Sequence, residues 1–316
     1  MSVRANAIRE LANSFSRIHR LPHIEIINLT FYPIHDNRVP IYSNPLSVFD
    51  NRVDFDDGSR LAVQASILEA LAASCKVRVP SKLLSLELHN LHTSDLSSLE
   101  TAQFQKFLTC LRRLQLTVLQ PTSYGRKYNF WSTFSPIILN PTQQFLTELI
   151  LHSSVCIWPS SGFSLTGLHF PHLTALSVRN LVFVPSVGVE PFILRHASTL
   201  ARLELLACKP PAYRELPPFE WGPPSSDYCW DTVWDRFAME LTALVTLNVD
   251  ELDCPYVGFF YRFNLSDEAI KSHNAADDAA LQRFHVVVTA RSEEMRETLR
   301  GEAVLDNLAI PSDLTW

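Results

Sequence analysis

Residues 173–181 and 200–208 carry nearly the same line twice, Leu173-Thr-Ala-Leu176-Ser-Val178-Arg-Asn-Leu181 and Leu200-Ala-Arg-Leu203-Glu-Leu205-Leu-Ala-Cys208. Both place apolar residues first, fourth and sixth, with leucine or cysteine ninth, and their starts lie 27 residues apart (200 minus 173). Six further lines carry the 1-4-6 spacing. They begin at Leu21 (Ile24, Ile26), Leu83 (Leu86, Leu88), Leu111 (Leu114, Leu116), Leu146 (Leu149, Leu151), Leu244 (Leu247, Val249) and Leu281 (Phe284, Val286). The steps between starts are 62, 28, 35, 27, 27, 44 and 37 residues. A short step holds one strand and one helix, and a longer step carries an insertion.

The line is that of a leucine-rich repeat, in which no unit buries enough apolar surface to fold alone and stacking supplies the shared core. The expected fold is therefore α/β, an irregular leucine-rich-repeat solenoid or horseshoe with a parallel sheet on its concave face and helices and loops on its convex face. Helical stripes precede several lines: Ile8, Leu11, Phe15 and Ile18; Leu61, Ile67, Leu68 and Leu71, with Ser59 as N-cap; Phe104, Phe107 and Leu108; Phe192, Ile193 and Leu194; Val233, Trp234 and Phe237. We expect one solenoid domain over 1–316, with an N-terminal helix or cap at 1–20, a proline-rich insertion at 209–230, and a C-terminal repeat and cap at 255–316. In that last region Tyr256 to Phe263 reads as a strand, Ser266-Asp-Glu opens a short helix, Leu281 to Val288 reads as the last strand, and Ser292 to Arg300 forms a terminal helix closed by Gly301. The step after Leu21 hides a degenerate unit, with Val53 to Phe55 as its strand, and residues 120–136 read as an aromatic loop containing Tyr124, Tyr128, Phe130, Trp131 and Phe134.

Composition removes several function classes. With 27 basic and 33 acidic side chains the net charge is -6, unlike a general nucleic-acid or anionic-membrane surface. No apolar run is long enough to span a bilayer. Six scattered cysteines without C-x-x-C read as unbridged buried thiols of a reducing compartment, which places the chain in cytoplasm or nucleus. Arg4, Arg9, Arg17 and Arg20 also fit a mitochondrial transit peptide, but the segment reads better as the helix of a first repeat.

Signals of chemistry are weak. Asp54-Phe-Asp56-Asp57-Gly58 lacks the EF-hand frame, since glycine comes fifth and position 65 is alanine, so it reads as a solvated turn before a helix. His89/His92 and His169/His172 fall at strand ends or turns, where three-residue spacing separates the imidazoles, and neither pair has a third ligand. There is no G-x-S-x-G and no phosphate-cradling glycine motif. We therefore expect no catalytic residues, no metal and no cofactor. The sequons at Asn28 and Asn264 read as unmodified. Trp221 and Trp230, with Trp234 and Phe219, cluster around the proline-rich insertion and read as a structural plug over the convex or lateral face, with a partner-binding loop as the sharper alternative. An enzyme with its site under 209–230 is the other class of reading.

In such a line the fourth and sixth residues point inward, so the third, fifth and seventh face a partner. This gives a candidate set of Glu25, Glu87, His89, Arg113, Gln115, Glu148, His152, Ser177, Arg179, Arg202, Glu204, Asn248 and Asp250. The mixture of acids, bases and neutral groups fits a protein or peptide partner, not a polyanion and not a membrane, with the chain itself monomeric. The lines at 21–26, 83–88, 111–116 and 200–205, with their irregular steps, resemble the leucine-rich regions of fungal F-box-type proteins. That resemblance implies the substrate-recognition part of a ubiquitin ligase. The helical F-box that binds the ligase adaptor is not recognisable here, because Leu21-Pro22 is followed by His23-Ile24 as a repeat strand and only 20 residues precede it.

Overall fold

A computed structural model describes residues 10, 13–14, 17, 23–31, 57–77, 84–93, 99–119, 130–157, 161–208, 229–250 and 267–308. They fall in two compact units, Met1–His172 and Leu173–Trp316. The protein is α/β: among the described residues there are seven strands, most of them followed by a helix, and the strand pairs within each unit are parallel.

In the first unit β1 (Ile26–Thr30), β2 (Ser85–His92), β3 (Arg113–Leu119) and β4 (Glu148–Ile157) pair in chain order. Equal places of successive lines meet across the ladder: Leu86 faces Leu114, and Leu114 faces Leu149. The fourth- and sixth-place leucines 86, 88, 114, 116, 149 and 151 are all buried. Each strand also begins alike, with two consecutive N–H groups donating to one second-place carbonyl of the preceding line. Arg112 and Arg113 donate to Leu84 O, and Thr147 and Glu148 donate to Arg112 O.

That repeated entry corrects the first line. Leu84 and Ser85 donate to Glu25 O, so Glu25 is a second-place residue, and the line starts at Ile24 rather than Leu21. Ile27 and Leu29 are the buried pair, while Ile26 is 57% exposed. The residues Ile24-Glu-Ile26-Ile27-Asn-Leu29 hold the alternation in two overlapping frames. Pairing with β2 selects the one that buries Ile27 opposite Leu86.

Helix α1 (Asp57–Val77) buries Ile67, Leu68 and Leu71 as expected, but it opens at Asp57. Ser59 is therefore inside the first turn rather than the N-cap, and Asp57 and Gly58 are helical instead of forming a turn. The buried Gln64 holds α1 to the end of β2, its amide donating to His92 O at 3.0 Å and accepting from His92 N at 2.8 Å. Helix α2 (Ala102–Leu108) buries Phe104 and Phe107 behind an N-cap at Thr101. The expected aromatic loop is helical where it is described: α3 (Phe130–Phe134) continues through a π-helical turn (Ser135–Leu139) into a last turn (Asn140–Thr142). Phe130, Trp131 and Phe134 are core residues, packed on one another and, for the latter two, on Phe163. Pro136, seventh in this helical run, lacks the N–H of a regular helix, and the π-helical turn falls at that position. Tyr124 and Tyr128 lie outside the described residues.

In the second unit β5 (Ala175–Leu181), β6 (Arg202–Leu206) and β7 (Thr246–Val249) repeat the same construction. Leu176 faces Leu203 and Leu203 faces Leu247, while Thr174 O and Ala201 O each accept two N–H groups. Lines 83, 173 and 200 share a further feature at their eighth place: Asn90, Asn180 and Ala207 adopt φ of 58°, 60° and 47°. In β2 this left-handed residue falls at an irregularity between Leu88 and Leu91, after which the ladder to β3 resumes; in line 200 it follows the end of β6, and Cys208 then donates weakly to Val178 O of the line before. Helix α4 (Val189–Arg195) buries Phe192 and Ile193, and α5 (Trp230–Glu240) buries Val233, Trp234 and Phe237.

The eighth line is not a strand. Leu281, Phe284 and Val286 lie within α6 (Asp267–Leu308), one helix that also takes up Ser292 to Arg300 and runs past Gly301. Arg283, His285 and Val287, the third, fifth and seventh residues of that line, therefore belong to no strand, and the expected C-terminal repeat is replaced by this helix. Its packed stripe is Asp277, Ala280, Phe284 and Val288, all buried, and Arg291. These spacings of three and four follow one helical face. Phe284 stacks on Trp234 and Phe237 at 6.2 Å. Asp277 Oδ1 accepts from Asp231 N at 2.8 Å, and Arg291 donates to Ala238 O and Leu241 O at 2.7 Å. Thus α6 caps both ends of α5, acid at the N-terminus and base at the C-terminus, matching its dipole. The side chain of Cys229, the N-cap residue, makes no capping hydrogen bond.

Val53 to Phe55, Tyr256 to Phe263 and residues 209–228 lie outside the described residues, as does most of the first helix, of which Glu10, Asn13 and Ser14 are helical.

Candidate functional site

The odd places of the strand lines build the candidate site. Adjacent strands lie about 4.8 Å apart, so residues of equal place on registered strands form rows across the face. In the first unit the third-place row is Ile26, Ser85, Arg113, Glu148, and the fifth-place row is Asn28, Glu87, Gln115, Ile150. In the second unit these rows are Ala175, Arg202, Thr246 and Ser177, Glu204, Asn248.

A glutamate stands in each fifth-place row, Glu87 on β2 and Glu204 on β6. Glu204 is held on both sides: Ser177 Oγ donates to Oε2 at 2.5 Å and Asn248 Nδ2 to Oε1 at 2.6 Å. Ser177 is buried by this arrangement and presents little to a partner. Glu87 accepts one hydrogen bond, from Asn28 Nδ2 at 2.7 Å. Its other neighbours are ion-pair contacts at 3.7 Å, His89 Nε2 and Arg113 Nε. Arg113 Nε also lies 3.5 Å from Glu148 Oε2, while its guanidinium donates to Gln115 Oε1 at 3.1 Å. Arg113 Nε and Ser85 Oγ are buried atoms without a hydrogen-bond partner.

Of the sequence candidates, the structure brings together Glu87, His89, Arg113, Gln115 and Glu148 in the first unit, and Ser177, Glu204 and Asn248 in the second. His152 pairs with Thr117 in register, and Arg179 with Leu206. Arg202 and Asp250 are exposed at the two ends of the second-unit face. Glu25 is not a face residue, because its carbonyl holds the start of β2; Asn28 takes the fifth place that Glu25 was expected to fill. Sequence reasoning missed Asn28, although its match to Asn248, on the opposite side of a glutamate, is visible once the first line is shifted by three residues. The sequon at Asn28 is tied up in its bond to Glu87.

Trp230 is not a loop residue. It is 1% exposed, stacked on Trp234 at 4.5 Å and against Phe183 at 4.7 Å, and it opens α5 as part of the core. Trp221 lies outside the described residues. Among the described residues no group of His, Cys, Asp or Glu is placed to hold a metal ion. His169 and His172 lie in a turn before β5, where His169 N donates to Gln143 Oε1. No helix of the described residues is long and apolar enough to cross a membrane. Cys110, Cys156, Cys208 and Cys229 are free thiols, and Cys110 is exposed rather than buried. Burial, with Asp231 and Asp277 nearby, pushes the Cys229 thiol up to about 11, so at neutral pH it is not a thiolate nucleophile. Burial also raises the Glu190 carboxyl against the opposing pull of Arg236, whose guanidinium binds it at 2.6 Å and ties α4 to α5.

No family model matches the chain, and no curated protein or solved structure is similar to it.

Proposed function

We propose that the chain is a non-enzymatic protein-interaction scaffold of the leucine-rich-repeat kind, a solenoid whose strand face is concave and receives a protein partner. One observation carries the reading. Parallel sheets ordinarily bury both faces and read as apolar on both. In each unit one face carries the buried leucines, and the other carries polar side chains in rows fixed by backbone register, Asn28, Glu87, Arg113, Gln115 and Glu148 in the first unit and Glu204 and Asn248 in the second. Cross-strand hydrogen bonds hold several of these side chains in place before any partner arrives, which lowers the ordering cost of binding.

The mixed charge fits a protein surface, whose rim charges set specificity and association rate. A narrower form of the reading, the substrate-selecting part of an F-box-type ubiquitin ligase, rests on the resemblance of the repeat lines alone. It predicts co-purification of a ligase adaptor with the native full-length protein. For the scaffold reading, affinity capture from cell extract recovers a saturable partner, and reversing charge at Glu87, Glu204 and Arg179 together weakens recovery. Recovery unchanged by that triple reversal contradicts the assignment of the strand face.

A further inference from the structure

Resting on the strand face as the binding surface, we infer that the first-unit face takes an extended, unfolded segment of its partner and holds it by the main chain, through the side-chain amides of Asn28 and Gln115. The two share the fifth-place row, with Glu87 between them: Asn28 pairs with Glu87 and Glu87 with Gln115. Each amide is turned by a charged neighbour. A carboxylate only accepts hydrogen bonds, so the Asn28 Nδ2 group donates to Glu87 Oε2 at 2.7 Å and Oδ1 is left to accept from a partner. A guanidinium only donates, so Arg113 donates to Gln115 Oε1 at 3.1 Å and the Nε2 hydrogens are left to donate. Thr30 Oγ1 also donates to Asn28 Oδ1, at the long distance of 3.5 Å, and the amide oxygen keeps a second lone pair. Asn28 is exposed and Gln115 is half-buried.

The two amides therefore offer opposite polarity at a fixed separation. They stand two strands apart, about 9–10 Å. Along one edge of an extended chain, the N–H of a residue and the C=O two residues further on are separated by nearly three residue rises, about 9 Å. An extended segment that crosses the strands thus donates its N–H to Asn28 and accepts from Gln115. The order of those two groups sets its direction, with the N-terminal end over β1 and the C-terminal end over β3. A helical segment does not fit, because its N–H and C=O groups bond one another.

The second unit orients an amide in the same way. Asn248 Nδ2 donates to Glu204 Oε1 at 2.6 Å, which leaves Oδ1 as an acceptor on an exposed residue. Charged neighbours hold these amides before a partner arrives, and that lowers the ordering cost of binding.

The test uses the full chain and a displayed library of random linear peptides. Peptides enrich on the chain, and the tightest is remade with a single N-methyl group or a single ester bond at each position in turn, which removes one N–H or weakens one C=O. Fluorescence anisotropy gives the affinities. N-methylation at one position weakens binding about three- to tenfold, the effect of one neutral hydrogen bond, and that loss is absent when the chain carries Asn28→Ala. The ester whose carbonyl lies two residues further on also weakens binding, and its loss is absent with Gln115→Ala. Glu294→Gln, a change to an exposed acid on α6, leaves every affinity as it was. Thermal melts accompany each variant; where Asn28→Ala does not fold, Gln115→Ala carries the test.

Peptide binding in which no N-methyl or ester position couples to Asn28 or Gln115 overturns the main-chain contact, and so does a library from which nothing enriches. If extract capture in either case still weakens on reversing Glu87, Glu204 and Arg179, the strand face stands and only the extended segment falls. If capture is also unchanged, the face falls with it.

Discussion

Residues 200–205 and 281–286 look alike on paper, Leu-x-x-Leu-x-Leu against Leu-x-x-Phe-x-Val, yet one is a strand of the ladder and the other a stretch of α6. The spacing 1-4-6 contains both an alternation (fourth and sixth) and a helical step (first and fourth), so it cannot decide by itself. Context decides. Around Leu203 the alternation meets Leu176 and Leu247 on flanking strands. Around Phe284 it is the steps of three and four that extend, through Asp277, Ala280, Val288 and Arg291, and the helix they define is tied to both ends of α5.

Substitutions sharpen this comparison. The largest effect is expected at Phe284, fully buried between Trp234 and Phe237: Phe284→Ala costs about 3–5 kcal/mol. Chemical denaturation of the variant measures it, and a loss under about 1 kcal/mol means that the helix does not pack on α5. Leu203→Ala, at the centre of the second-unit ladder, costs roughly 2–5 kcal/mol by the same measurement. An unchanged melting temperature there means that the repeat register is wrong.

Asp277→Ala leaves Asp231 N at the start of α5 without its acceptor, for about 1–3 kcal/mol. If Asp277→Ala and Asp277→Asn are equally harmless, α6 does not cap α5. The smallest effect has the opposite sign. Ala207 holds φ of 47°, a conformation that its Cβ disfavours by about 1–2 kcal/mol. Ala207→Gly removes that strain and stabilises by up to about 1 kcal/mol after the entropic cost of glycine. Destabilisation means that the left-handed eighth place seen at Asn90 and Asn180 is not shared by line 200.

Most of the ladder was legible in the sequence, because fixed places in successive lines meet one another: Leu86 with Leu114, Leu114 with Leu149, Leu176 with Leu203 and Leu203 with Leu247. The failures have separate physical causes. The first line slipped by three because Ile24, Ile26, Ile27 and Leu29 satisfy two frames, and only pairing with β2 breaks the tie. The helix at 130–142 was hidden by Pro136 and Pro141, which lie inside it and each remove a backbone donor; the chain passes Pro136 in a π-helical turn. Trp230 looked like a loop anchor because it borders the proline-rich insertion, whereas its stacking on Trp234 is a helix i to i+4 contact. Glu87, Gln115, Glu204 and Asn248 fall in the fifth-place rows expected of them, whereas Glu25 does not, and the pairing among these side chains was not visible. That Glu204 is closed by two neighbours and Glu87 by only one hydrogen bond depends on geometry across strands 27 to 59 residues apart.

The strand face as the binding surface is tested most directly by site-specific photo-crosslinking in cell extract. A benzophenone side chain replaces Gln115 on the face in one variant, and Met239, exposed on α5, in another. The account predicts a discrete crosslinked partner from position 115 and none from position 239. A partner captured from 239 and not from 115 contradicts it.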